Sequence, residues 1–448
     1  MFEYLLVIFF LSSELYLIEI HLSEVNYKMK LSERDKEIEQ KAMNIFKKWP
    51  RTQIIFGKDK LTQTGRYTKK YGKSALIVIG GGSVKKFGYL ETLKKALKDE
   101  GVESDVYEGV EPNPSKTTVE EIAKTYKEGE YDLTIALGGG STMDAAKAAL
   151  ILTSLGEDDI SAYFGVGKAS EKLDRISPCI CIPTTSGTSA EITRYSNVTL
   201  PEKGVKKLIS DISMHPHYAI VDPTLTMSCP KDLTITVGLD TMTHAMEGYL
   251  NSIQDSGNED INKRALLSLE LVFKWLKVAA EEPKNYTARK TMSIACLLAG
   301  TVIGGERFKG TAGPHMNSFS WADTIAHGKS TGIMMPYYIA YYGKNPTVKE
   351  KLEPIANMLG VEKGENIGLN VAKAMLEWYQ DMGFPIKISE VKGWKPEYKE
   401  KALQDASENT MKLEAMPNPV PLDKVDEIVG PILQAAIDGD LSKLKLQL

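Results

Sequence analysis

Leu133-Thr-Ile-Ala-Leu137, running directly into Gly138-Gly-Gly-Ser-Thr-Met-Asp144, is the stretch whose reading decides the fold. The first five residues form a short aliphatic and β-branched strand, and the glycines after it mark a strand-to-helix turn. Such a turn lets the backbone approach a phosphate, while the helix N-terminus supplies N–H donors and positive potential. The same syntax occurs upstream, where Ala75-Leu-Ile-Val-Ile79 leads into Gly80-Gly-Gly-Ser-Val-Lys-Lys86. Further strands are read at Asp105-Val-Tyr107, Cys179-Ile-Cys-Ile182 and Tyr218-Ala-Ile-Val221, with helices over 87–97 and 119–128. Strands alternating with helices imply an α/β unit with a parallel sheet, helices on its faces and ligands at the carboxyl ends of its strands. Neither loop carries the GxGxxG or the Gly-Lys-Ser/Thr pattern, so an ordinary Rossmann domain and a P-loop NTPase are both excluded. Pro183-Thr-Thr-Ser-Gly-Thr-Ser-Ala-Glu191 follows a third strand with small hydroxyls suited to pyrophosphate and ribose.

Past Asp222-Pro223 the texture becomes helical. Ile261, Ala265, Leu266, Leu269, Val272, Phe273 and Leu276 recur at helical spacing, and helical runs follow over 291–301, 348–359, 367–382 and 425–437. Within this half, Gly238-Leu-Asp240-Thr-Met-Thr-His244 places a carboxylate and an imidazole one turn apart on a single helix face. Such a pair can grip a divalent cation, although i, i+4 pairs are also common on helix surfaces. The chain has six His, and His315 and His327 lie downstream in a glycine-rich stretch. His215 and His217 stand just before a strand and are expected at solvent or at an interface. Glu247 reads either as a support for the metal site or as a helix-surface charge.

Composition sets the outer bounds. With 448 residues, 42% hydrophobic and 25% charged, the chain has the make-up of an ordinary soluble protein with more than one domain. A net charge of -4 with dispersed lysines and arginines argues against a nucleic-acid or membrane partner recognised by bulk charge. The four Cys lack metal-ribbon spacing and read as reduced thiols of a cytoplasmic protein. The apolar run from Leu5 to Leu11 is far short of the about 20 residues that span a bilayer. No basic segment precedes it, and Glu14, Glu19 and Glu24 follow, so a signal peptide is disfavoured. Residues 1–28 are expected to be an accessory extension outside the fold, with Met29 as an alternative start. Residues 29–222 should form the nucleotide-binding domain and 223–448 the helical, metal-binding domain. Ser32 is placed to cap a helix reaching about Trp49.

Several blocks together resemble the iron-containing alcohol dehydrogenase family, over about residues 51–340. They are Gly109-Val-Glu-Pro-Asn113-Pro, Gly138-Gly-Gly-Ser-Thr-Met-Asp144-Ala-Ala-Lys147, Ile182-Pro-Thr-Thr-Ser-Gly-Thr188, Asp222-Pro-Thr-Leu and the Asp240–His244 segment extended through Glu247-Gly-Tyr. The resemblance implies a dinucleotide-binding α/β domain followed by a helical domain, an architecture shared with dehydroquinate synthase. It implies Asp240, His244, His315 and His327 as ligands of a divalent metal, Fe²⁺ or Zn²⁺. Family members usually carry two His four apart near His315; here Phe319 stands at the second position, and the auxiliary imidazole is absent. The cofactor residues implied are Gly81, Gly82, Ser83, Lys85, Asn113, Gly139, Gly140, Ser141, Asp144, Thr184, Thr185, Thr188 and Lys207.

Cofactor choice turns on the first loop. NAD-preferring members often have Asp after this strand, where this chain has Gly80, and the loop resembles that of NADPH-using butanol dehydrogenases and aldehyde reductases. A carboxylate there would repel a 2′-phosphate, whereas Ser83 and a lysine would bind it; alternatively, Lys85 and Lys86 simply solvate a helix start. NADP(H) is therefore expected over NAD(H), with a small alcohol or aldehyde as substrate and a homodimer or larger homo-oligomer as the assembly. Two other readings remain open. One is an enzyme of the same fold acting on a phosphorylated or carboxylated substrate, such as a glycerol-1-phosphate dehydrogenase or a dehydroquinate synthase-like lyase, suggested by Lys309. The other is a nucleotide-binding protein with a degenerate metal site.

Overall fold

The computed structural model describes residues 6–11, 14–19, 30–202, 204–251, 259–305, 310–322 and 324–444. Strands β1 (Leu6–Leu11) and β2 (Glu14–Glu19) pair antiparallel with each other as a separate two-stranded sheet. A capping box at Ser32 opens the helix Glu33–Lys47, with Asp35 closing the reciprocal bond. The α/β unit then builds one fully parallel sheet from β3 (Gln53–Phe56), β4 (Ser74–Ile79), β5 (Glu103–Glu108) and β6 (Leu133–Gly138) with two later strands. A smaller three-stranded sheet contains β7 (Gly165–Val166). β8 (Cys179–Pro183) returns to the main sheet, and β9 (Tyr195–Leu200) and β10 (Val205–Ser210) form an antiparallel hairpin in the smaller one. β11 (Tyr218–Val221) closes the series, giving the main order β3-β11-β8-β6-β4-β5.

The near-continuous apolar strands follow from burial on both faces. Leu76, Val78, Ala136, Cys179 and Cys181 point to one side, into a core shared with the helices Lys116–Glu128 and Gly140–Leu155. Ala75, Ile77, Ile79, Leu133, Ile135, Leu137, Ile180 and Ile182 point to the other, toward the helix Tyr89–Lys98. The expectation of a parallel sheet covered by helices is met. The polar hairpin β9–β10 and the edge strand β3 are additions to what the sequence pattern indicated.

Beyond Val221 the described residues form helices and turns. The helix Lys231–Asn251 is buried along nearly its whole length and packs against Glu259–Glu281, Tyr286–Ile303 and His327–Tyr342. A helix enclosed on all sides needs no polar face, so its buried Asp240, Thr241, Thr243, His244 and Glu247 call for specific partners. No helix among the described residues is long and apolar enough to cross a membrane.

Lys147, fully buried, ties the layers together. Its ammonium donates to the backbone carbonyls of Ala190 (2.9 Å), Thr193 (3.2 Å) and Tyr195, fixing the chain that leads into β9. Replacing Lys147 with Met orphans those acceptors and is expected to cost about 3 kcal/mol of stability. Urea unfolding of the two proteins measures it; a difference near zero would contradict this role.

Candidate metal centre and adjoining cleft

Asp240 and His244 project from the same turn of the buried helix Lys231–Asn251. His315 comes from the short helix Gly313–Ser318, and His327 is the first residue of the helix His327–Tyr342. These three elements converge because Gly328 presses against the Asp240 helix. A Cβ at Gly328 would lie 2.4 Å from the Thr236 carbonyl and 2.9 Å from the Asp240 Cβ.

The Nε2 atoms of His244, His315 and His327 lie 3.9, 3.8 and 3.7 Å from the single oxygen Oδ1 of Asp240. A tetrahedron built on metal–ligand bonds of 2.0–2.1 Å has edges of about 3.4 Å, so four donors are gathered at close to coordination spacing. Ligand atoms of Asp240, His244 and His315 all fall within 4.8 Å of one another. The opposite side of each distal imidazole is engaged: Nδ1 of His315 meets Oε2 of Glu247, and Nδ1 of His327 is hydrogen-bonded to Ser318 Oγ at 3.0 Å. This fixes both rings with Nε2 toward the common point. The Nε2 of His315 is buried with no hydrogen-bond partner, an orphan that a bound cation would satisfy.

Electrostatics agree with the geometry. Burial pushes the Asp240 carboxyl up, but the three neighbouring imidazoles and the Thr331 hydroxyl outweigh it and hold it below the usual carboxylate range. Burial pushes His315 and His327 well below the ordinary imidazole value, so both rings are neutral and carry free lone pairs.

The four donors open onto a 350 Å³ cleft whose far wall is the carboxyl end of the parallel sheet. Asn113, Gly140, Ser141, Asp144 and Thr188 line that wall. Gly140 starts the long helix Gly140–Leu155 with Gly139 at its cap, and a Cβ at Gly140 would meet the Thr188 side chain at 2.5 Å. Asn113 holds a left-handed conformation (φ 59°), and its N–H donates to Ser141 Oγ at 3.1 Å. The Asp144 carboxylate accepts from the Asn197 N–H at 3.0 Å and is raised by burial. Thr184 donates its N–H to the Gly138 carbonyl, and Thr185 sits beside Gly139, both just behind the turn. The first loop, with Gly81, Gly82, Ser83 and Lys85, lies at the end of β4 and leaves open space at both glycines.

Family models settle what this architecture belongs to. The model for iron-containing alcohol dehydrogenase matches residues 50–223, and that for the family's C-terminal domain matches residues 234–436. The chain belongs to the iron-containing alcohol dehydrogenase family. It is 30% identical to NADH-dependent butanol dehydrogenase A of Clostridium acetobutylicum over 345 residues, covering 76% of this chain and 87% of that protein. It is 32% identical to the NADPH-dependent butanol dehydrogenase of Clostridium saccharobutylicum over 353 residues, 78% and 87% of the two chains. A crystal structure of an iron-containing alcohol dehydrogenase from Thermotoga maritima superposes with a TM-score of 0.72 at 30% identity, covering 86% of this chain and 98% of that one.

Within the family's architecture, the structure departs from the sequence expectations at Lys207, His215 and His217. Lys207 is exposed, and its neighbour Lys206 lines the main cleft instead. The reason is the two-residue alternation of β10: Lys206, Leu208 and Ser210 share the cleft face, and Lys207 takes the other. His215 is buried, not at solvent, and His217 is enclosed beside Tyr71, accepting the Cys179 N–H at 3.2 Å. Burial pushes both imidazoles down to about 3. Lys309 lies outside the described residues. Phe319 stacks on the His327 ring, 6.3 Å between centroids, where the family often has its auxiliary imidazole. Three supporting residues had no assigned place in the sequence reading: Lys206, Ser318 and Lys412, the last on the short helix Thr410–Glu414. Glu247 takes the supporting place that was one of its two readings.

Proposed function

We propose that this protein is a metal-dependent alcohol dehydrogenase or aldehyde reductase, exchanging a hydride reversibly between NADP(H) and a small alcohol or aldehyde. The observation that carries this reading is the shared cleft, with Asp240, His244, His315 and His327 on one wall and Gly140, Ser141 and Asp144 on the other. When bound, the divalent cation supplies Lewis acidity at the substrate oxygen and the nicotinamide supplies or accepts the hydride. The chain's residues do the positioning. Asp240 and the three imidazoles would hold the ion and leave a position open toward the cleft. The helix N-terminus at Gly140 and the Ser141 hydroxyl would face the cofactor's phosphates, and Asp144 would support its nicotinamide side. Phe319, stacked on His327, offers no proton, so it cannot supply the proton of the product hydroxyl. Both Fe²⁺ and Zn²⁺ suit one carboxylate and three imidazoles, with Zn²⁺ the tighter at equal supply. Four free, buried cysteines accord with a cytoplasmic location, and we take a homodimer as the working assembly.

The preference for NADP(H) rests on the first loop. Relatives of near-equal identity carry names with either cofactor, so identity does not decide. No carboxylate follows β4 at Gly80, and Ser83 and Lys85 flank the open glycines. Lys85 is engaged with Glu108, but both side chains are about half exposed, and such a pair is worth about 0–1 kcal/mol. A 2′-phosphate therefore outcompetes it. Glu108→Gln is expected to raise the NADPH:NADH ratio of kcat/KM by about 3-fold or more, by freeing Lys85. An unchanged ratio would remove Lys85 from the site. The reading as a whole is tested by stripping the protein with a chelator and restoring Fe²⁺ or Zn²⁺. NADPH oxidation by a short aldehyde should vanish and return, and its absence under both metals would refute it.

A further inference from the structure

Lys412 is a buried ammonium at the cleft that the hydride-transfer reading leaves without a task. It sits on the helix Thr410–Glu414, which closes the cleft from the C-terminal side with Met411, Lys412 and Ala415. The residue is only 6% exposed. Its Nζ donates to the Thr311 carbonyl at 2.7 Å and to the Thr311 hydroxyl. Those bonds occupy two of three donors, and among the described residues no carboxylate comes within ion-pair distance of it. The nearest electrostatic partner is Glu247, whose two oxygens are already committed to the Ala312 N–H and His315 Nδ1.

A buried ammonium without a contact counter-ion is costly unless something else supplies the charge. The cleft offers nothing to do so. Its lining carboxylates are Asp144 and Asp240, the first bonded to the Asn197 N–H and the second facing three imidazoles. Lys206, on β10, adds a second ammonium to the lining. Two lining carboxylates thus face two lining ammoniums, and before the cofactor binds a divalent cation leaves the cleft net positive, even with Glu247 counted behind His315; the cofactor's phosphates would lie at the Gly140 end, away from Lys412 on the C-terminal side. Ile303, Phe319, Met411 and Ala415 also line the cleft and give it an apolar surface that suits a short carbon chain.

We propose that Lys412 is a specificity-determining residue that pairs with an anionic group on the substrate, so that the preferred substrates are short aldehydes carrying a terminal carboxylate or sulfonate and the corresponding alcohols. The aldehyde end reaches the Asp240–His327 centre, the chain lies along the apolar lining, and the oxyanion takes the third donor of Lys412. This assignment rests on the hydride-transfer reading above and names its substrate class.

The test compares kcat/KM of the metal-loaded enzyme, with NADPH, for succinic semialdehyde, its sulfonate counterpart and butanal, which share one aldehyde frame. Wild type is expected to favour at least one anionic substrate over butanal by about 10-fold or more, as a charge-assisted bond to a desolvated lysine implies. Lys412→Met should lower that preference by about 30-fold, mainly through KM, and Lys412→Arg should retain most of it. The carboxylate and sulfonate arms show which oxyanion fits. A wild-type preference for butanal over both anions, or an equal loss on all three substrates in Lys412→Met, would overturn the assignment. The second outcome would make Lys412 only a staple for the Thr311 turn. Turnover of none of the three would instead refute hydride transfer itself, so the two failures are distinguishable.

Discussion

Asp240→Asn is expected to empty the metal centre and lower kcat/KM by at least about 1000-fold, the scale of losing the Lewis acid at a developing alkoxide. Asp240 is the only carboxylate among the four gathered donors, and its Oδ1 is the atom to which all three Nε2 atoms are referred, at 3.7 to 3.9 Å. The amide keeps the shape and the Thr331 bond but removes the negative charge, leaving a dication among neutral rings in a buried site. The fold should survive, because the side chain packs in a pocket that Asn fills equally well. Metal content per chain, kcat/KM and NADPH binding measured together separate the effects. The expected pattern is lost metal, lost activity and retained cofactor binding; a fully metallated, fully active variant would contradict the ligand role of Asp240.

The second large effect is expected one step away from the ion. Glu247→Gln should weaken metal retention or activity by about 10–100-fold, the range seen when the outer partner of a metal-binding imidazole is lost. Glu247 is completely buried and receives two donors at once, the Ala312 N–H at 2.7 Å on Oε1 and the His315 ring on Oε2. A glutamine of identical shape offers one acceptor and one NH₂ group. Whichever way the amide turns, one of the two donors faces another donor. Either His315 loses the bond that sets its Nε2 toward the site, or the Ala312 turn before the helix Gly313–Ser318 loosens. Burial raises Glu247 from the usual carboxylate range, while the nearby Lys412 ammonium, and after it the Ala312 N–H, draw it back toward ionisation. Chelator competition measures the change in metal affinity, and an affinity equal to wild type would show that Glu247 only fills space.

What the sequence disclosed follows from how each feature is encoded. β4 and β6 were legible because parallel strands buried on both faces read as unbroken aliphatic runs, and glycines punctuate their ends. Asp240 and His244 stood out through helical spacing, His315 and His327 through the scarcity of histidine in the chain. The hairpin β9–β10 was not legible, since its alternation of polar and apolar residues is broken by Ser196 at an inward position and by the consecutive Lys206 and Lys207. The signal that would have placed Lys206 is the shared parity of Lys206, Leu208 and Ser210. Lys412 was hidden more thoroughly: the five-residue helix Thr410–Glu414 is too short to show a period, and only tertiary packing brings it over the cleft. A histidine beside Pro216 reads as a loop residue, whereas His215 is buried near the charges of Lys147, Arg194 and Arg51.

The central claim, one divalent cation held by Asp240, His244, His315 and His327 at the mouth of the cofactor cleft, is tested most directly by anomalous diffraction from crystals of Zn²⁺- or Fe²⁺-loaded protein. A single anomalous peak per chain, about 2.0–2.2 Å from Asp240 Oδ1 and from the three Nε2 atoms, is the predicted result. A peak held by other residues, or none at these four side chains in metal-saturated crystals, would contradict it.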